Sequence, residues 1–481
     1  MSIVRTRIAP SPTGIAHIGT AYMALFNYAF AHKHGGEFIV RIEDTDRKRF
    51  VEGAEQVIYD ALYWLNIPHT EGADIGGPYS PYRQSERLRM YTKAAQELVD
   101  KGHAYYCFCD AQTLDAMRTE QQARKEIPRY DRRCLHLSAQ EIERKLANGE
   151  PHVIRMKMPD NEIISWNDLI RGFVEINTKE LDDQVLMKSD GFPTYHLGVV
   201  VDDHDMKITH VIRGEEWISS TPKHILLYQY FGWELPQFAH MPLLRNPDKT
   251  KMSKRKNDVS IPFYKEKGYI ADALRNYLCL LGWSHPQEKD IFSLDEFISA
   301  FTMERMQKTG PVFDIAKLNW MNGKYIREVL TMDELMRELQ SFLPSDFPKE
   351  LLPQIVPLVR DRLVTLADIE SLTDFFYRNL PLTKEALIPK KTTVEEAKQF
   401  LQVAIEQLEK FDEKDWVATD METAVRNACD ARGWNRGAFF MTLRVGVTGK
   451  TVTPPLFDTI QVLGKEKTLK RLHHAMGILA A

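Results

Sequence analysis

Ile3-Val4-Arg5-Thr6-Arg7-Ile8-Ala9-Pro10-Ser11-Pro12-Thr13-Gly14-Ile15-Ala16-His17-Ile18-Gly19 is the stretch on which the fold turns. Ile3 to Ala9 alternates as a strand does, the Pro/Ser/Gly text makes a loop, and Ile18, Tyr22, Leu25, Phe26 and Ala29 then recur with helical period. Gly35-Gly36 closes that helix. Glu37 to Ile42 reads as a second strand, and Ala54, Val57, Ile58, Ala61, Leu62 and Leu65 mark one face of a second helix. Strand, helix, strand in this order predicts a parallel sheet wound by helices, with ligands bound beyond the carboxyl ends of the strands. His17 falls at that end.

Further along, Lys101 to about Leu181 breaks the alternation with basic helical text, three cysteines and short strand-like pieces such as Val153 to Met158. Alternation resumes at Val185 to Val201 and Ile208 to Ile212, followed by a helix over Thr221 to Phe231. From about residue 330 the apolar residues keep helical spacing, as in Leu335, Met336, Leu339, Phe342 and Leu343, and Thr393 with Glu396 forms a capping box. Prolines 344, 348, 381 and 389 punctuate the segments. The expected fold is therefore an α/β N-terminal half, a Rossmann-like doubly wound parallel sheet with an inserted α+β module, followed by an all-α C-terminal third. The boundaries divide the chain at 1–100 and 185–232 for the two halves of the sheet domain, 101–184 for the insert, 233–330 for a region carrying a basic loop, and 331–481 for the helices.

With 481 residues, 43% hydrophobic and 27% charged, the composition is that of a globular chain of about three domains. No apolar run approaches the roughly 20 residues of a membrane span, and the N-terminus enters a strand instead of a signal peptide, so a cytoplasmic protein is expected. A net charge of −4 argues against a nucleic-acid packaging role and leaves local basic surfaces open. Two such windows are Arg118 to Arg133 and Arg245 to Lys256. Five cysteines do not suit a disulfide-stapled secreted domain.

Two motifs carry the chemistry. At His17-Ile18-Gly19 a strand hands over to a helix, where unpaired backbone N–H groups and the helix dipole favour an anion such as a phosphate. An imidazole there can donate to a phosphate oxygen, and a glycine lets a flat base approach the backbone. Lys251-Met252-Ser253-Lys254-Arg255, announced by Asn246-Pro247-Asp248, supplies three cations and a hydroxyl, and lysine on its flexible stem can follow a phosphate that moves during reaction. Together they predict two distant segments converging on one triphosphate. Cys107, Cys109, Cys134 and His136 form a full tetrahedral set for structural zinc, the competing reading being ordinary buried cysteines beside a surface histidine. Cys279 and Cys429 read as small core residues, and Asp202-Asp203 and Glu215-Glu216 as strand-end caps and helix N-terminal charges.

Beyond these motifs, the chain carries Arg7 to Gly14, Arg41-Ile42-Glu43-Asp44-Thr45-Asp46, Tyr82-Arg83-Gln84-Ser85, Lys188 to His196, Val200-Val201-Asp202-Asp203, His210 to Trp217 and Trp320-Met321-Asn322. In combination these are specific, and along nearly its whole length the chain resembles the bacterial glutamyl-tRNA synthetases, members of the class I aminoacyl-tRNA synthetases. The resemblance implies activation of glutamate by ATP, with Mg2+, to a glutamyl-adenylate and transfer to the 3′ end of tRNA(Glu), with tRNA(Gln) a further candidate partner. It also implies that tRNA must be bound before the first step. His17 and Gly19 would belong to the ATP motif and Lys254, flanked by Lys251 and Arg255, would be its mobile lysine. Arg7, Ser11, Tyr195 and Arg213 would handle the carboxylates of L-glutamate and Glu43 its ammonium, although an internal Arg7–Glu43 salt bridge would use the same charges. The insert would meet the acceptor end, Arg360 and Arg362 would lie near the anticodon, and a monomer is expected. After Tyr195-His196-Leu197 the chain has Gly198-Val199, where certain members carry an amide side chain near the substrate, which puts any hydrogen bond from that place in doubt. The glutaminyl enzymes read anticodons with β-barrels, the tRNA-modifying paralogue lacks a helical C-terminal region, and a catalytically silent tRNA-binding protein would have a broken ATP motif. A small nucleotidyltransferase would not need the downstream length.

Overall fold

The computed structural model describes residues 3–46, 48–250, 252 and 259–481. In chain order the first elements are β1 (Arg5–Ile8), α1 (Ile18–Lys33), β2 (Glu37–Val40), α2 (Ala54–Trp64), β3 (Glu71–Gly72) and α3 (Leu88–Asp100). Then come β4 (Ala104–Cys107), α4 (Ala111–Ala123), α5 (Ala139–Ala147), β5 (Val153–Met156), β6 (Ile163–Asp168), β7 (Gly172–Asn177) and β8 (Val185–Met187). The last of the set are α6 (Tyr195–Asp205), β9 (His210–Gly214), α7 (Thr221–Phe231) and β10 (Gln237–Met241).

β1 pairs in parallel with β2, setting Arg7 opposite Ile39, and β2 pairs in parallel with β3. On the other edge of β1, the Thr209 N–H donates to the Arg5 carbonyl at 3.0 Å and the Thr209 hydroxyl accepts from the Arg5 N–H at 2.8 Å. β9 thus runs beside β1, and β10 pairs in parallel with β9, Arg213 opposite His240. The strands form two hydrogen-bonded sheets, β1-β2-β3 and β7-β6-β10-β9, with β1 and β9 side by side at the seam between them, and in open α/β sheets a ligand crevice forms at the carboxyl ends beside such a seam. Arg7 and Arg213 sit on the two strands that flank it. α1 covers the sheet with the apolar face anticipated from its spacing, since Ile18, Tyr22, Leu25, Phe26 and Ala29 are all buried.

The insert contributes β4 and β5 to an antiparallel sheet, β4-β5-β8, whose third strand begins just past the expected boundary at 184, and the β6–β7 hairpin, whose β6 joins β10 in parallel. Here the expected alternation over Val185 to Val201 is corrected. Only Val185–Met187 is a strand, and it completes the insert's sheet, while Tyr195–Asp205 is helical. Leu197, Val199, Val200 and Val201 are buried on every side of that helix, and a fully buried helix gives a continuous apolar run with no period to read.

The chain divides into two compact units, one of residues 1–264 and 271–315, the other of residues 265–270 and 316–481. Among the described residues of the second unit every named element is a helix. The Thr393–Glu396 capping box is formed, the Thr393 N–H donating to the Glu396 carboxylate at 2.7 Å and the Glu396 N–H to the Thr393 hydroxyl at 3.2 Å. Among the described residues no helix is long and apolar enough to cross a membrane.

Candidate active site

His17 is the N-cap of α1, extended at φ −77° and ψ 141°, and its Nδ1 accepts from the Gly19 N–H at 2.9 Å. With Nδ1 accepting, Nε2 is the ring nitrogen placed to carry a proton. A Cβ on residue 19 would lie 3.0 Å from the same Nδ1, so the glycine is what lets the imidazole cap its own helix. The expectation of unpaired N–H groups at this helix start is corrected. Ile18 donates to the Val259 carbonyl at 2.6 Å, Gly19 to the imidazole, and Thr20 and Ala21 to the His17 carbonyl. The helix dipole still favours an anion there.

The partners of this turn are informative. Val259 and Ile261 clasp it, Ile261 donating to the Ala16 carbonyl at 2.9 Å, with a bridge between His17 and Ser260. Met252 is buried, donates to the Leu244 carbonyl at 3.1 Å and lines the same cavity as His17. Lys251, Lys254 and Arg255 themselves lie outside the described residues.

The cavity, about 1170 Å³, is lined by every residue named from sequence for ATP and glutamate that is described: Arg7, Ser11, His17, Gly19, Glu43, Tyr195 and Arg213. They come from β1, the loop after it, the cap of α1, the chain beyond β2, the first turn of α6 and the end of β9. Ser11 is exposed at the mouth, whereas Arg7 and Arg213 are buried.

Arg7 does not pair with Glu43. It makes a bidentate bond to Asp203, with Nε and Nη2 at 3.0 and 2.9 Å from the two carboxylate oxygens. Arg41 shares Asp203 at 2.7 Å, reaches Glu43 at 3.3 Å and stands 3.4 Å from Asp202, which in turn holds Arg87 at 2.7 Å. Asp202 and Asp203 are thus buried counter-ions behind the cavity, not strand-end caps. Burial works against the charge on Arg7, but the attraction and hydrogen bonds of Asp203 outweigh it and its pKa is raised. Glu43 goes the other way: burial pushes its carboxyl up to about 7, only partly opposed by Arg41 and Arg7.

Among the described residues Arg213 is met by neutral groups instead. Its Nε donates to His240 Nε2 at 3.1 Å, its Nη1 to the Tyr195 hydroxyl at 3.2 Å and His224 Nδ1 at 3.0 Å, and its Nη2 to the Thr221 hydroxyl at 2.8 Å. Among the described residues no carboxylate lies within 4.0 Å of its nitrogens. Burial accordingly lowers its pKa. Tyr195 stacks on Trp217 with ring centroids 4.0 Å apart, which fixes the phenol at the cavity wall. A Cβ at 198 would lie 3.0 Å from the amide nitrogen of Gln84, which lines the cavity and donates to Asp202 at 2.9 Å.

The shell of Arg213, namely His224, His240, Thr221 and Asp168, was not legible beforehand. They come from three separate elements, α7, β10 and β6, and nothing in the spacing points them at a common arginine.

In the insert, Cys107, Cys109 and Cys134 converge, their sulfurs within 4.8 Å of one another. The exposed His136 is not part of that group. Instead the Tyr130 hydroxyl lies 3.3 Å from the Cys107 sulfur and 3.6 Å from that of Cys109. A hydrogen bond from Cys134 holds the Cys107 thiol well below its usual range, and the same bond raises Cys134. Three close sulfurs, one already inclined to thiolate, fit a tetrahedral soft metal.

In the helical unit, Arg360 donates to the Ile326 carbonyl at 2.9 Å and the Leu330 carbonyl at 2.5 Å, capping a helix end, while Arg362 is exposed.

A family model described as tRNA synthetases class I (E and Q), catalytic domain, matches residues 3–320, and an anticodon binding domain model matches residues 334–476. The chain belongs to the class I aminoacyl-tRNA synthetases. A glutamate–tRNA ligase of Acinetobacter baumannii (strain AYE) is 48% identical over 479 residues, covering 99% of this chain and 94% of that protein. One of Marinomonas sp. (strain MWYL1) is 49% identical over 483 residues, covering 100% and 96%. A crystal structure of a glutamate tRNA ligase from Elizabethkingia meningosepticum in complex with its amino acid superposes with a TM-score of 0.90 at 36% identity, covering 99% of this chain and all of the other. Within its class, the chain is a member of the glutamate–tRNA ligase family.

Proposed function

We propose that this chain joins L-glutamate to the 3′ end of tRNA(Glu) in two steps, at the cavity between β1 and β9. The observation that carries the reading is Arg213, a buried guanidinium at the cavity wall with no carboxylate of its own among the described residues. A dicarboxylic amino acid supplies the missing anion. Arg7, Ser11 and Tyr195 would join Arg213 on the carboxylates, and Glu43 would take the ammonium.

In the first step the α-carboxylate attacks the α-phosphorus of ATP, which is brought with Mg2+, and pyrophosphate leaves. The nucleophile is already ionised, so alignment and charge stabilisation are what the protein must supply. His17 Nε2 would donate to phosphate, Gly19 would seat the base, and Lys254, with Lys251 and Arg255, would follow the leaving phosphates. Met252 and Val259, anchored at the cavity wall and at the His17 turn, support this role for the segment between them. Lys254→Ala should raise the barrier to adenylate formation by ~2.7–4 kcal/mol, the scale of removing one preorganised donor. A rate within about threefold of the unmodified enzyme counts against it.

In the second step the terminal adenosine hydroxyl attacks the activated carbonyl and AMP leaves. The insert, residues 101–184, would hold the acceptor end and residues 331–481 the anticodon, Arg362 by direct contact and Arg360 by fixing the backbone beside it. We read the cysteine cluster as a structural zinc site, with Tyr130 or His136 completing Cys107, Cys109 and Cys134. Metal analysis should find zinc bound to the chain, and its retention by a variant lacking all three thiols would dismiss the site. The reaction is placed in the cytoplasm, on a monomer.

Glu43 makes the reading sensitive to pH. The substrate's ammonium needs an ionised partner, and a carboxyl titrating near 7 is ionised above that value and neutral below it. KM for glutamate should therefore rise about tenfold from pH 8 to pH 6. A flat profile removes Glu43 from the ammonium site.

Charging of purified tRNA(Glu) and tRNA(Gln), each with glutamate and with glutamine, tests the whole. Glutamate should be accepted and glutamine refused, with ATP–pyrophosphate exchange near background until tRNA is added. Efficient glutamine charging would overturn the assignment, and efficient exchange without tRNA would remove the tRNA requirement.

A further inference from the structure

We propose that His224 and His240 are positioning residues for substrate selectivity, neutral imidazoles that seat Arg213 without cancelling its charge. The proposal rests on the reading that Arg213 receives the distal carboxylate of glutamate. Neighbouring buried arginines are held differently: Arg5 by Glu71, Arg7 by Asp203 and Arg87 by Asp202, at 2.7–2.9 Å. Arg213 gives its Nε–H to Nε2 of His240 and an Nη1–H to Nδ1 of His224. A guanidinium can only donate, so both ring nitrogens facing it carry lone pairs and both rings are oriented acceptors.

The far side of each ring enforces this. Nδ1 of His240 lies 2.5 Å from Asp168, which also accepts the backbone N–H groups of His240, Ile170 and Arg171 at 3.0–3.1 Å. That carboxylate is locked by four donors and serves the imidazole. Nε2 of His224 lies 3.1 Å from Nδ1 of His196. Burial, reinforced by Lys223 and Arg213, drives His196 down to about 3 and His224 well below its ordinary value, so both stay neutral at working pH.

The consequence is chemical selection. A carboxylate entering the cavity meets a cation with no carboxylate partner among the described residues. A carboxamide of the same shape brings an NH2 group to a wall of donors, and the two imidazole lone pairs that could accept from it are already engaged. Buried donors left unpaired are what make such a site discriminate. An aspartate in place of His224 would build the counter-ion into the wall, and glutamate would then arrive as a second anion.

His224→Asn and His224→Asp, nearly equal in size and different in charge, separate the proposal from a packing role. Each is assayed for tRNA charging with glutamate and with glutamine, with thermal unfolding recorded alongside. The Asn variant should keep the glutamate-over-glutamine ratio of kcat/KM to within about threefold, and the Asp variant should lower it about 100-fold, mainly through KM for glutamate. Equal ratios in the two variants overturn the proposal. Should the Asp variant fail to fold, His240→Leu decides: stripping the Nε–H of its acceptor should lower the ratio, and His240→Gln should restore it. An unchanged ratio in His240→Leu is then the overturning result. Arg213→Gln run in parallel keeps the two readings apart, because an unchanged ratio there removes Arg213 itself, whereas a collapsed ratio there with equal His224 variants removes only the imidazoles.

Discussion

Arg213→Gln should reduce kcat/KM for glutamate on the order of 10⁴-fold, about 5 kcal/mol of transition-state stabilisation, and abolish the preference for glutamate over glutamine. The size follows from the setting. Arg213 is buried on β9, and its neighbours His240, His224, Tyr195 and Thr221 offer it acceptors but no negative charge. Charge-assisted bidentate bonds between guanidinium and carboxylate are among the stronger polar contacts a protein makes, and water excluded from the site strengthens them. Glutamine at 213 would preserve much of the side chain's reach while removing the charge, so loss of activity cannot be laid to a cavity. Comparison of charging rates for the two amino acids reads the effect directly. Selectivity equal to that of the unmodified protein would remove Arg213 from the substrate's side-chain end.

Asp203→Ala should lower stability by about 3–5 kcal/mol, read as a shift of the denaturation midpoint at unchanged slope. Asp203 is the shared counter-ion of two fully buried arginines, bonded to Arg7 at 2.9 and 3.0 Å and to Arg41 at 2.7 Å. Removing it leaves two buried cations facing one another, and Arg41 then leans on Asp202 and Glu43 alone. The attraction of the two arginines holds Asp203 below its ordinary pKa in spite of burial. A carboxylate depressed in this way contributes stability above its unfolded pKa and loses it as pH falls through the folded value. The variant's deficit should accordingly shrink in acid. A change below about 1 kcal/mol at neutral pH would mean the arginines find other partners.

Much of the fold was legible because it depends on local periodicity. The first strand, the helix after it and the capping box at Thr393 follow from spacing and cap chemistry that act over a few residues. The misreading at Val185 to Val201 has the converse cause: in a helix buried on all sides, period carries no information. At the site, the residue types named from the motifs do line one cavity. Their partners differ from those expected, since Arg7 bonds Asp203 nearly 200 positions away and the helix N–H groups at His17 are already taken.

The sequence by itself determined the α/β architecture, the family and the residues that meet at the seam between β1 and β9, because strand and helix signals and motif text are properties of neighbouring residues. Only the tertiary structure decided which charges are cancelled and which are left standing. Counter-ions are chosen by position in space and by burial: Asp202 and Asp203 reach the arginines from the far end of α6, while Arg213 is met by imidazoles and hydroxyls. That difference in dielectric company, invisible along the chain, is what turns one buried arginine into scaffold and another into a receptor for an anion.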